Sequence, residues 1–296
     1  MNVFATKVAR GGPRPLNRDG SHGRLLTHDE LQRAYKANSY DDPHPSKTAP
    51  MARPCVQNVL YQLEDKDILH RRLDYGLQQY DGTDLYLRRG FESGATDASY
   101  FSVLGAAQAF GRGCGLPYGE ALARSRIQSY KNFSVGGVGP NFYLLRPDII
   151  EDVNRGQFCV VNMMSPRSVD LDDTHPNGSC VFDIKDGQTL FWGSYIDHRR
   201  TRHGETLEDT VRKMQAQFMK DFRALSDAVR VPTILVNFSF KAGQYTASDT
   251  TFPQFLTEDM LAGVCDCFDF FVTNDAAQNQ ADIASLRYYP SHKSQL

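Results

Sequence analysis

The residues best equipped for chemistry fall in a few short segments. Met164-Ser165-Pro166-Arg167-Ser168 sets an arginine between two hydroxyls. A guanidinium there suits a carboxylate, phosphate or sulfate, and serves a structural ion pair equally well. Either Ser165 or Ser168 is a candidate displaced nucleophile, yet no base adjoins them in sequence, and a bare serine more often caps a turn. Gln108, in Gly105-Ala-Ala-Gln108, can donate or accept at a turn, toward a ligand or toward neighbouring backbone. His175, His198, His203 and His292 stand near candidate loops, and Asp172-Asp-Thr-His175 and Asp197-His198 set carboxylates beside imidazoles. None of these matches a metal spacing such as HExxH, so they read as solvated loops and no metal site is expected. The basic run His198-Arg-Arg-Thr-Arg-His203 reads as a solvated loop as well. Cys265-Asp-Cys267 is too tight for a zinc clip, which prefers two to four intervening residues. The six cysteines are therefore read as reduced thiols, and no cofactor is expected.

These residues need elements to position them. From about residue 100 apolar strands alternate with helices. Strands are predicted at 101–105, 131–135, 157–163, 233–240 and 267–273. Helices are predicted at 117–128 (opened by Pro117), at 140–155 (interrupted at Pro147), at 211–229 and after Phe252. This alternation implies an α/β fold, a three-layer α/β/α arrangement around a five-stranded, mostly parallel sheet of flavodoxin-like type. Ligands of such sheets bind beyond the carboxyl ends of the strands. That rule selects the segments starting at 105, 136, 164 and 240, and the C-terminal tail. Gly105, Gly136 and Gly137 there permit close backbone approach to a ligand. Asn141, beside the second turn, joins them as a binding candidate. Between about 165 and 206 the alternation lapses into a polar insertion, with a hairpin signal at Asp186-Gly187.

Residues 1–55 form an irregular, extended N-terminal arm rich in Pro, Gly, Asn, Asp, Arg and His. A helix is predicted at 27–37, with Thr27 as cap and Glu30 completing a capping box. The arm is either a loose tail or a docking segment for a protein partner or a second copy. Residues 56–296 form the α/β domain. Of the 296 residues, 41% are hydrophobic and 23% charged, with a formal net charge of -2. Such a balance supplies a core and gives no bulk attraction to nucleic acid or to an anionic membrane. No apolar run is long enough to span a membrane and no secretory signal is evident, so a cytoplasmic or organellar interior is expected.

Three segments carry a resemblance. Val103-Leu-Gly-Ala-Ala-Gln-Ala-Phe-Gly111 resembles the first block of the SGNH (GDSL) hydrolases, a strand running into Gly-Asp-Ser. Asn132-Phe-Ser-Val-Gly-Gly-Val-Gly-Pro140 resembles their second block, whose glycine amide serves an oxyanion hole. Arg287-Tyr-Tyr-Pro-Ser291 falls where that family places Asp-x-x-His-Pro. The core from about 74 to 292 also resembles a bacterial SGNH-like branch of uncharacterised function, which carries LGAAQTFGR, GGAGP, MSGRS and YYPS.

The departures decide what the resemblance implies. The nucleophile position holds Ala107, preceded by Ala106, and a methyl group attacks nothing. The strand before Met164 exits without the Gly-x-Asn-Asp block that supplies an oxyanion donor. The catalytic histidine aligns with Tyr289 rather than His292. The resemblance thus implies a scaffold without the Ser-His-Asp triad, a binding or structural protein. Its binding set would be Gly105, Gln108, Gly136, Gly137, Asn141, Arg167 and Tyr289. The alternative is an acyl or other group transferase acting on a glycan, taking a glycan or acyl ligand in the strand-edge cleft with non-standard residues. Ser165, Arg167 and His292 would be its candidate catalytic residues. The Gly-Ala-Ala-Gln turn faintly resembles the Gly-Asn-Cys-Gln turn of capsule-polysaccharide acyltransferases, again with the nucleophile replaced by Ala107.

Overall fold

Short apolar runs form the strands, and capped amphipathic segments form the helices between them. The computed structural model describes residues 27–38, 57–63, 74–80, 83, 85–93, 99–171, 174–177, 180–183, 188–238, 255–273 and 287–290. In the N-terminal segment, α1 (His28–Asn38) begins at the predicted capping box. The Glu30 amide donates to Thr27 Oγ1 at 3.3 Å, and the Thr27 amide donates to Glu30 Oε2 at 2.8 Å. The next helical segment, α2, spans 57–63. Strands β1 (Leu77–Gln79) and β2 (Tyr86–Arg88) pair as an antiparallel hairpin. Leu31 of α1 is buried with Val59 and Tyr61 of α2, Leu77, Tyr86 and Phe110. The described part of the arm therefore packs on its own chain.

The α/β core follows the predicted alternation closely. In order come β3 (Tyr100–Leu104), α3 (Ala107–Phe110), α4 (Tyr118–Arg126), β4 (Ser129–Asn132), α5 (Pro140–Leu144), α6 (Pro147–Arg155) and β5 (Cys159–Asn162). Pro147 divides α5 from α6 because it cannot donate the helical hydrogen bond, yet it suits a first turn. The insertion after β5 holds a 3-10 turn (Pro166–Ser168) and an antiparallel sheet of β6 (Thr174–Asn177), β7 (Cys180–Asp183) and β8 (Gln188–Phe191). The hairpin signal is borne out by the β7–β8 pairing, although Asp186-Gly187 lies outside the described residues. The chain continues through α7 (Trp192–His203), α8 (Leu207–Ala228), β9 (Thr233–Asn237), α9 (Glu258–Cys265), β10 (Phe270–Thr273) and β11 (Arg287–Pro290).

The main sheet has the order β11-β10-β9-β5-β3-β4. Five neighbours run parallel, and β11 closes one edge antiparallel to β10. Numbered by their appearance in the chain, the parallel strands read 2-1-3-4-5, the flavodoxin-like order. Alternate strand residues face opposite layers. Phe101, Val103, Val160 and Val236 meet Ala109, Ala123 and Leu122 on one side. Leu104, Cys159, Val161 and Leu235 meet Phe142, Tyr143, Val153, Phe218 and Phe222 on the other. The two cores are the physical content of a three-layer fold.

The longest helix, α8, carries the larger core on one stripe of Val211, Met214, Phe218, Phe222 and Leu225. Its first turn is held by a capping box. The Asp209 amide donates to Thr206 Oγ1 at 3.1 Å, and the Thr206 amide donates to Asp209 Oδ2 at 3.3 Å. Thr206→Ala is expected to lower stability by about 1 kcal/mol without changing the denaturant m-value. Urea unfolding followed by circular dichroism measures both.

Candidate functional site

Strand order reverses between β3 and β5, so the fold points to the crevice at their carboxyl ends. Gly105 leaves β3 with φ +149°, and a Cβ there would come 2.7 Å from Ala109 Cβ and 2.8 Å from Asn162 Cβ. Only glycine fits. The group that approaches it belongs to the chain itself. Its amide donates to the Tyr143 hydroxyl at 2.8 Å, and that hydroxyl donates back to the Gly105 carbonyl at 2.8 Å. Tyr143 is fully buried, and desolvation pushes its phenol far above the ordinary range, so it stays neutral.

The second glycine turn is filled in the same way. The Gly136 amide donates to Asn58 Oδ1 at 3.1 Å. Asn58 Nδ2 donates to the Tyr86 carbonyl at 2.8 Å and the Ser134 carbonyl at 3.1 Å. A Cβ on Gly136 would collide with the Tyr61 ring, over which the Arg112 guanidinium sits at 4.1 Å from the centroid. Gly139, at the end of the same turn, packs against the Ser168 carbonyl. The glycines of this edge thus admit side chains and backbone from within the protein.

The other expected residues divide. Ser165 is buried, and its Oγ accepts from the Arg167 amide at 3.4 Å as the cap of the 3-10 turn. Arg167 is half-buried and Gly137 turns the backbone at φ +77°. Gln108 is exposed on the first turn of α3. Tyr289 lies on β11, its backbone paired with Phe271 of β10. That places it four strand spacings from β3, about 19 Å at the usual ~4.8 Å each, away from Gly105 and Gly136. His292 lies outside the described residues.

Asn141 belongs to a polar chain on which sequence reasoning was silent. Its Nδ2 donates to Asp170 Oδ2 at 2.6 Å, and Asp170 Oδ1 lies 3.2 Å from His175 Nδ1. His175, expected in a solvated loop, instead sits on β6 and is largely buried. Asp221 of α8 is buried nearby; its Oδ1 accepts from Gln217 Nε2 at 2.6 Å, and its Oδ2 has no hydrogen-bond partner among the described residues. Burial, with a smaller contribution from Asp170, raises the Asp221 carboxyl to about 6. The run from His198 to His203 is corrected too. It forms the C-terminal half of α7, where Arg199 is buried and pairs with Glu205 at 2.7 Å. The fold brings Asp183, His198 and His203 together, three residues able to hold a metal ion.

A cleft of about 590 Å³, part of it open to solvent, runs along the β4 edge rather than at the switch point. Gln78, Arg88, Glu92, Tyr100, Tyr130 and Lys131 line it. Its cations serve the fold: Arg88 donates to the carbonyls of Phe110, Gly111 and Gly115, and Lys131 lies 3.4 Å from Asp152. The residues that fill the switch point, Asn58, Tyr61 and Tyr143, carry no local sequence signal, because each meets a distant segment.

The family model that matches is a domain of unknown function, DUF6473, over residues 64–170. That span holds the turns at Gly105 and Gly136. No curated protein and no solved structure matches the chain. Among the described residues no helix is long and apolar enough to cross a membrane. Cys114, Cys159, Cys265 and Cys267 are free thiols, and burial pushes Cys265 up to about 12.

Folded Asp221 holds its proton more tightly than the unfolded chain does, so its contribution to stability falls as pH rises from ~4 through about 6. Asp221→Asn keeps the acceptor for Gln217 and removes the buried charge. At pH 8 it is expected to stabilise the protein by on the order of 2 kcal/mol, and at pH 4 by much less. Denaturant melts at the two pH values measure the difference.

Proposed function

We propose that this chain is a non-catalytic binding or assembly protein built on an SGNH-like scaffold. One observation carries the reading: the backbone donors at the switch point, the amides of Gly105 and Gly136, are satisfied by Tyr143 and Asn58. An oxyanion hole needs such donors aimed at a reacting atom. Ala107, where a nucleophile would stand, is half-buried against the same cluster as Tyr61 and Phe110. Of the two serine candidates, Ser165 caps the 3-10 turn by accepting from the Arg167 amide, and both Ser165 and Ser168 are buried. Recognition is then left to surfaces outside the crevice, and the N-terminal arm is the segment for a protein partner or a second copy.

A second reading, group transfer to a glycan, has one arrangement in its favour. Asp170 can hold His175 through Nδ1, which leaves Nε2 for general base work.

Two measurements separate the readings. The purified chain is expected to form no adduct with a fluorophosphonate probe and to show no melting shift with acyl-CoA, nucleotide sugars or oligosaccharides. An adduct on Ser165 or Ser168 overturns the non-catalytic reading. So does turnover that is lost in Ser165→Ala or Arg167→Ala. A donor-induced shift abolished by His175→Ala establishes the second reading instead. As a structural check, Asn58→Ala removes three buried hydrogen bonds, to the Tyr86 and Ser134 carbonyls and from the Gly136 amide. It is expected to cost at least about 2 kcal/mol in denaturant unfolding.

A further inference from the structure

The insertion sheet and α7 assemble a set of side chains unrelated to the switch point. Asp183 ends β7 and is buried. Its Oδ2 lies 3.2 Å from His198 Nε2, on the helix packed across that sheet. His203 ends α7 and is exposed, and its ring lies 6.2 Å from that of His198 with the planes at 76°. One ligand atom from each of the three lies within 4.8 Å of the others.

We propose that Asp183, His198 and His203 bind a divalent transition-metal ion of the zinc class. Two imidazoles and one carboxylate suit zinc, cobalt, iron or manganese, whereas magnesium and calcium prefer all-oxygen shells. At metal–ligand bonds of about 2.0–2.2 Å, neighbouring ligand atoms in a tetrahedron stand roughly 3.3 Å apart. The Asp183–His198 pair already has that separation at 3.2 Å. His203 closes the remaining gap. It is the last residue of its helix, and Gly204 beyond it turns at φ +62° with nothing packed where a Cβ would be. Its side chain can therefore swing at little cost.

Arg199 is engaged by Glu205 at 2.7 Å and Arg200 by Asp197 at 2.9 Å. A plain Asp183–His198 ion pair would have no use for His203, and that difference makes the proposal testable. Three protein ligands leave a fourth position for water or an outside donor group. The bound ion ties the end of β7 to the end of α7, so binding adds to the stability of the insertion. The spacing of five between the histidines differs from the four of HExxH motifs, and the carboxylate comes from another element, which is why no local pattern announces the site.

The test uses the full chain stripped of metal and titrated with zinc, with magnesium as control, by calorimetry and thermal melting. The expected result is one zinc per chain and a higher melting temperature, with no response to magnesium. His203→Ala should leave the metal-free melting temperature within about 2 °C of the parent, because the residue is exposed. It should weaken zinc binding by more than roughly tenfold, the loss usual even for outer-shell partners. Cobalt should give a spectrum without a thiolate charge-transfer band, which sets the site apart from Cys265 and Cys267. Absence of stoichiometric binding, a thiolate band, or equal affinity in His203→Ala and Asp183→Asn overturns the proposal.

Discussion

The Asn58 carboxamide is the fastener on which the crevice end of the molecule depends. It is fully buried, and it joins α2, the start of β2 and the turn after β4 with three hydrogen bonds. Few side chains can donate twice and accept once within so small a volume. A buried backbone group left without its hydrogen bond costs about 1–3 kcal/mol. With α2 so anchored, Tyr61 comes down on Gly136, meets Phe110 at 5.8 Å between ring centroids and receives Arg112 on its face. Tyr75 and Arg88 complete this aromatic and cationic packing around Phe110.

This fastening redirects the usual logic of the fold. Open parallel sheets leave a crevice where strand order reverses, and backbone amides at the crevice face the ligand. Here Tyr143 comes up from α5 to one amide and Asn58 comes down from α2 to the other. The insertion takes over the polar residues that remain. Asp170 and His175 lie at its start, with Asp221 behind them on α8. Asp183, His198 and His203 lie further along. Chemistry-bearing side chains have moved from the strand exits to an added sheet and the helices that pack on it. The crevice is held shut by the chain's own side chains, and the proposed metal site lies on the insertion.

Much of the architecture was legible before any coordinates. The five parallel strands were all expected within a few residues of their positions, because apolar runs bounded by turn residues are local signals. So were the capping box at Thr27 and Glu30, the break at Pro147 and the hairpin of the insertion. α7 was misread as a loop, since His198-Arg-Arg-Thr-Arg-His203 shows no apolar stripe and its burial depends on the β7–β8 sheet beneath it. Ser165 was rightly weighed as a cap rather than a nucleophile, because a 3-10 turn opened by Ser-Pro needs its amide satisfied. The glycines at 105 and 136 were expected to admit a ligand, and the groups that approach them are Tyr143, Asn58 and Tyr61 of the chain itself.

What the sequence determined by itself was the alternation, the element boundaries and the absence of a serine at Ala107. Each follows from backbone sterics and side-chain chemistry acting over a handful of neighbours. Only the tertiary structure decided what approaches those glycines and which carboxylates meet which imidazoles. Asn58 and Gly136 are far apart in the chain, as are Tyr143 and Gly105, and Asp183 and His198 sit on different elements. Such meetings depend on how strands are ordered and helices seated, which are set by the burial of whole faces rather than by any local pattern.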